Sequence, residues 1–382
     1  MTETTRIAKW DNIRLVLIFC VVLGHVINYV RMDTDSMNRV YLYIYAFHMP
    51  AFVFLSGMFS QNAVKHYRYD KAFTFLLLYF VIKFSLFLTR VAVGKEAAFH
   101  MTSTVGIDWY ALAIFLFYLV TMFLQRFDKR YLVPAVIFFG CMASYDLSLG
   151  GKLVLARATA FYPFFLLGFC VNRDTLFRIS KVIPLKLAAL VFLIAMGWVA
   201  AVHYDDLEWL MPLLKGFSYR NLDDDLFYFG GLLRLGCYAV ALLMTLAVIV
   251  VVPAFKGFWS RFGSRTMGVY AFHYCLITAV MSGWDVKKLM IKKMTEAEAN
   301  QWMVILSLAI VLVLSLKPVD WLIRRLTVPP LRKAVGKDTA AAASPASEPP
   351  QDTPPEATQP LRREEEDPEA TRPLDPIEEE DP

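Results

Sequence analysis

Seven ionisable residues sit inside the long apolar runs of this chain: Arg14, His25, His48, Lys83, Arg157, Arg234 and His273. Such groups are costly at bilayer depth and are kept there for binding, proton transfer or ion pairing. Two of them share one stretch, DNIRLVLIFCVVLGHVINYV at 11–30. On a helix, Arg14 and His25 lie about 20° apart around the axis and roughly 16 Å apart along it. They therefore share a face, and one elongated ligand can touch both. A blander reading stays open: Arg14 snorkels to lipid phosphates and His25 is a satisfied histidine of the bundle. A second stretch, YAFHMPAFVFLSG at 45–57, sets His48 beside Pro50. Proline in a span frees a backbone carbonyl and kinks the helix, while Ser56 and Gly57 allow close backbone approach.

The elements that hold these residues follow from composition. The chain has 382 residues, 57% of them hydrophobic, with a mean hydropathy of +0.46. A bilayer-spanning helix needs about 20 mostly apolar residues, and such runs recur up to about residue 325. The pattern predicts an all-α fold, a polytopic membrane helical bundle of about ten transmembrane helices. The spans fall near 12–31, 41–60, 72–92, 109–125, 131–148, 153–171, 183–203, 228–252, 265–284 and 301–323, with the weakest signals at 131–148 and 265–284. The first ends on Asn28, Tyr29, Val30 and Arg31, with no small-residue cleavage site of the signal-peptide kind.

Loop charges orient the bundle. Lys and Arg gather at 6–9, 65–71, 126–130, 173–181, 256–261 and 324–333, all on one side; the lysines at 287, 288, 292 and 293 are the exception. Both termini are then cytoplasmic. That topology puts Arg14 near the cytoplasm and His25, His48, Arg157 and Arg234 in the outer half, with His273 near mid-membrane. Four segments thus bring a His or Arg to similar depth, which suggests one buried polar site.

From residue 338 the chain turns rich in Pro, Ala and acid and has no aromatic residue. Such a segment buries too little apolar surface to fold, so 336–382 reads as a disordered cytoplasmic tail. With 14 acidic and 3 basic residues, 338–382 carries −11; against the chain's +5 this leaves +16 on the rest. A basic membrane domain suits anionic lipid headgroups and an anionic cytoplasmic cofactor, and nothing points to nucleic acid. The tail repeats PEATQPL at 355–361 as PEATRPL at 368–374, which offers Thr358 and Thr371 for docking by a cytoplasmic partner or for phosphorylation, although a drifted low-complexity duplication is the preferred explanation of the repeat. The five cysteines show no paired spacing, and there is neither metal-ligand spacing nor a Gly-rich phosphate loop.

WDNIRLVLIFCVVLGHV together with FHMPAFVFLSG resembles acyltransferase family 3, the multi-pass membrane acetyltransferases, and within it the fucose 4-O-acetylase-like branch. The family pattern of an Arg, ten residues and a His is present as Arg14 and His25. IDWYALAIFLFYL at 107–119, with Trp109, is similar to the family's aromatic segment. ARATAFYPFFLLGF at 156–169, led by Arg157, and RFGSRTMGVYAFHYCLI at 261–277, with His273, look like its later segments. The resemblance covers about residues 9–325, within a membrane-embedded domain of 1–335, and leaves out the tail.

The resemblance implies transfer of an acyl group, commonly acetyl from cytoplasmic acetyl-CoA, to a hydroxyl of a sugar, a lipid-linked glycan or another extracytoplasmic acceptor. Such transfer needs a base for the hydroxyl proton, and His25 is the candidate. Direct attack and an acyl-histidine intermediate are both open. Arg14 suits the polar end of CoA, with Arg265 a second candidate and Asp11 a partner to orient Arg14. His48 and Arg157 are further catalytic candidates; Trp109, Arg234 and His273 are candidates for contact with the acceptor. A transporter or flippase without covalent chemistry explains buried charges as well, although the two halves show no self-similarity. A membrane scaffold for the tail's partners leaves the converging His and Arg without a purpose.

Overall fold

The computed structural model describes residues 8–30, 35–95, 106–146, 154–283, 286 and 294–328. The tail at 336–382, Thr358, Thr371 and the lysines at 287, 288, 292 and 293 lie outside them. Among the described residues the structure is helical throughout, with no strand. The helices are α1 (Ala8–Val30), α2 (Asp35–Tyr45), α3 (His48–Lys65), α4 (Tyr69–Ala92), α5 (Trp109–Leu124), α6 (Lys129–Met142), α7 (Leu155–Cys170), α8 (Arg173–Ile179), α9 (Ile183–Val202), α10 (Gly230–Val251), α11 (Thr266–Thr278), α12 (Glu296–Leu314) and α13 (Lys317–Thr327).

By length and composition, six of these units can cross a membrane: α1, α2 with α3, α4, α9, α10 and α12. Counting α7 and α8, which meet at 86°, as one span makes seven. The sequence reading of about ten is not reached, for reasons of length. The apolar helix α5 has 16 residues, about 24 Å, against a hydrocarbon core of about 30 Å. α6 has only 14, and α11 has 13 before it passes into a π-helical turn at Ala279–Gly283. The last span also differs from the expected 301–323. It stops at Leu314, and Pro318 opens a separate helix, because proline is tolerated in a first turn and not in a helix interior.

Polar side chains staple the helix ends into two layers. At one end Lys9 Nζ donates to Val252 O (2.8 Å), Asn12 Nδ2 to Pro253 O and Phe255 O (both 3.0 Å), and Gln61 Nε2 to Val171 O (2.7 Å). At the other, Arg39 donates to Ala201 O (2.8 Å), Tyr145 to Tyr228 O (2.8 Å) and Ser218 to Ser144 O (3.0 Å). The first end gathers Lys9, Lys65 and the starts of the 126–130, 173–181 and 256–261 connections. Between the layers the core is apolar and aromatic, while α9 turns Ile183, Val191, Ile194 and Trp198 outward. A helix so apolar with so little of its surface covered is stable only against lipid.

α3 and α7 pack backbone to backbone. A Cβ on Gly57 would overlap the carbonyl of Phe165, and one on Gly168 the carbonyl of Phe54. The two backbones touch because both positions lack a side chain, the small-residue packing that membrane helices rely on. Ser56 and Pro50 are thereby pinned in place. The five cysteines are free.

Candidate active site

A cavity of about 510 Å³ runs inside the bundle between α1, α3, α4, α5 and α11, and both Arg14 and His25 line it. The shared helix face expected from their spacing therefore opens on one space. At the Arg14 end the wall is cationic. Arg14, Arg68 and Lys71 line it, and Arg173 adds a fourth charge through Phe59, whose ring lies 4.3 Å from the Arg14 guanidinium and 5.8 Å from that of Arg173. Asp11 holds Arg14 at 3.2 Å and Asp70 holds Arg68 at 2.9 Å, so both guanidinium groups are oriented. The lining of this mouth holds three basic side chains and no carboxylate.

The His25 end is aromatic. Phe52, Trp109, Tyr110 and Tyr270 line the cavity there. Tyr274 packs edge-on against the His25 ring at 5.4 Å, and the His273 ring lies 5.2 Å away. Within the described residues His25 makes no hydrogen bond. The other two histidines are committed. His48 Nδ1 lies 2.8 Å from Ile44 O, and His273 Nδ1 lies 2.9 Å from Val269 O and 3.0 Å from Tyr270 O. A carbonyl only accepts, so each Nδ1 carries the proton and each Nε2 holds a lone pair. His273 is fully buried, and its Nε2 finds no donor among the described residues.

Two hydroxyls join them. Ser56 Oγ and Tyr110 OH are 2.7 Å apart and both line the cavity. One O–H is spent between them and the other remains to donate to a ligand. Trp109 is held by Phe161 of α7, stacked at 5.2 Å, and by Arg157, whose guanidinium is 5.4 Å from its ring.

A family model described as an acyltransferase domain matches residues 7–317. The chain belongs to acyltransferase family 3. It is also similar to two curated relatives, each named nodulation protein NolL. The one from Mesorhizobium japonicum is 23% identical over 213 residues, 50% of this chain and 56% of the relative. The one from Sinorhizobium fredii is 26% identical over 177 residues, 42% of this chain and 47% of the relative. The chain thus spans about half the length of the curated relatives it matches. No solved structure matches it.

In this member of acyltransferase family 3, the residues singled out from sequence fall into two groups. Arg14, His25 and Trp109 line the cavity, Asp11 touches it through Arg14, and His48, His273 and Arg157 stand behind the wall. Arg234 and Arg265 are employed elsewhere. Arg234, 1% exposed, donates from Nε to Tyr219 OH (3.0 Å) and from Nη2 to Phe217 O (2.6 Å), clamping the 204–227 connection onto α10. Burial pushes the Tyr219 hydroxyl up to about 12, so it keeps its proton and donates to Cys141 O at 2.7 Å. Arg265 reaches Ser315 O at 3.5 Å. Lys83 pairs with buried Asp108 at 2.9 Å, immediately before Trp109, and fixes the entry to α5.

Sequence reasoning did not find Arg68, Lys71 and Arg173, whose charges it read only as orientation signals. It also passed over Tyr110. The signal was present in each case: basic residues at the end where Arg14 lies, and a second aromatic next to Trp109.

Proposed function

We propose that the chain is a multi-pass membrane O-acyltransferase that moves an acetyl group from cytoplasmic acetyl-CoA to a hydroxyl of a sugar or other extracytoplasmic acceptor. The observation that carries this reading is the single cavity lined from Arg14 to His25. Its cationic mouth suits the CoA phosphates, which guanidinium groups bind with two parallel hydrogen bonds. Its largely apolar bore suits a pantetheine arm, and the roughly 16 Å from Arg14 to His25 is of the length that arm spans when extended. The thioester then lies beside His25, with the spare O–H of the Ser56–Tyr110 pair near its oxygen.

In this reading His25 takes the proton of the acceptor hydroxyl as the hydroxyl oxygen bonds the acyl carbon. It returns that proton to the CoA sulfur as the carbon–sulfur bond breaks. His273 is a positioning residue: its Nε2 lone pair attracts an N–H of His25 and leaves the other His25 nitrogen as the acceptor in the cavity. Labelled acetyl-CoA supplied to the purified protein in proteoliposomes should pass its label to a cell-envelope glycan fraction. Solute movement without a labelled product would favour a transporter instead.

The Lys- and Arg-rich end of the bundle is cytoplasmic in this reading, together with the tail at 336–382. With the five native cysteines replaced, an impermeant thiol reagent on intact cells should label Asp224→Cys, at an exposed position of the 204–227 connection, and spare Ala346→Cys. The reverse pattern would place His25 at the cytoplasmic end and remove the argument for an extracytoplasmic acceptor.

A further inference from the structure

A second cavity, of about 590 Å³, lies at the other end of the bundle, walled mainly by the 204–227 connection. It shares no lining residue with the first. Trp209, Glu208, Asp223, Lys215 and Asn221 all line it. The Trp209 indole N–H donates to Asp206 O at 2.8 Å, which holds the ring in one orientation.

One layer of side chains separates the two cavities. The Arg157 guanidinium lies 5.4 Å from the ring of Trp109, which lines the first, and 4.8 Å from that of Phe217, which lines the second. Lys215, from the wall of the second, lies over Tyr41 at 5.2 Å and Tyr45 at 5.6 Å. The floor of the second cavity therefore adjoins the His25 end of the first.

We infer that this second cavity is the acceptor site, and that it binds an uncharged sugar residue stacked on Trp209. The inference rests on the acyltransferase reading above. A fixed aromatic ring packs against the C–H face of a pyranose, while carboxylates and an amide at the rim accept from and donate to its hydroxyls. Glu208, next to Trp209 in the chain, and Asp223 set carboxylates in the lining and disfavour an anionic sugar there, while Arg157 stands outside the lining, behind Phe217. An acceptor held here reaches His25 by displacement of Arg157, which explains why that cation is wedged between one aromatic ring from each cavity.

The test uses the full chain in nanodiscs, with neutral methyl hexosides and a methyl uronide as probes, followed by saturation-transfer NMR. Neutral glycosides should bind and the uronide should not. Trp209→Ala should weaken glycoside binding by about tenfold or more, and Trp209→Phe, which keeps a ring, by much less. Acetyl-CoA binding should be the same in all three proteins, which shows that the variants are folded. Uronide binding equal to that of the neutral probes, or unchanged glycoside binding by Trp209→Ala, would overturn the proposal. A wild-type protein that binds glycosides through Trp209 but does not bind acetyl-CoA would support the sugar site and overturn the donor assignment.

Discussion

His25→Ala is expected to lower acyl transfer by about 10²–10⁴-fold, the usual cost of losing a general base, while leaving acetyl-CoA binding within about twofold. The split follows from the geometry. His25 contributes one ring to the far end of the cavity, whereas the charges proposed to hold a CoA sit at the Arg14 end. His273 gives a finer check. His273→Phe fills the same space but removes the Nε2 lone pair, and should slow transfer about tenfold with donor binding intact. His273→Gln restores a side-chain oxygen acceptor and should recover most of that loss. A role for His273 in packing alone would reverse the order, with Phe the better replacement. Turnover of the two variants at matched protein level, over a range of pH, reads this directly.

Gly57→Ala and Gly168→Ala should each prevent accumulation of a folded protein or lower its melting temperature sharply, at a cost of about 3 kcal/mol or more. A methyl group at either position meets a backbone carbonyl of the opposite helix, and a backbone cannot step aside as a side-chain end does. Gly236→Ala on α10 is the control, since a Cβ there meets nothing within 4 Å. It should be tolerated, or gain up to about 1 kcal/mol from helix propensity. Size-exclusion profiles and thermal melts of the detergent-solubilised proteins separate the cases. Equal behaviour of all three variants would mean that the α3–α7 contact is looser than described here.

How much of this was legible in the sequence differs from element to element. Hydropathy finds the apolar helices, because each must face lipid or the bundle interior over most of its circumference. Its count of about ten is not matched by helices of full spanning length among the described residues, because a window cannot see where a helix stops. α5 and α6 end within 14 to 16 residues, and Pro318 cuts short what reads as one run from 301 to 323. The Arg14–His25 relation was legible because it is periodic and lies on one helix. Contacts between helices were not. Ser56 and Tyr110 meet across α3 and α5, and Arg173 reaches the mouth through Phe59 from a separate helix. Arg234 shows what sequence leaves open. A buried arginine looks functional in sequence, yet this one is spent on a carbonyl and a tyrosine of the connection it anchors. Buried charge marks a position with a demanding partner, and only the fold says whether that partner is a substrate.

The central claim is that one acyl-CoA lies along α1, with its phosphates at Arg14 and its thioester at His25. A cycle that pairs a change in the protein with a change in the ligand tests it most directly. Binding of acetyl-CoA and of acetyl-pantetheine, which lacks the nucleotide phosphates, is measured for the wild type and for Arg14→Ala. In the wild type acetyl-CoA should bind more tightly by about tenfold or more, since a charge-assisted hydrogen bond is worth about 1.5–3 kcal/mol. In Arg14→Ala most of that advantage should vanish, acetyl-pantetheine binding should be nearly unchanged, and Arg14→Lys should restore the advantage only in part. An acetyl-CoA advantage that survives intact in Arg14→Ala would contradict the account, because the phosphates would then lie elsewhere and α1 would not be the track that leads the thioester to His25.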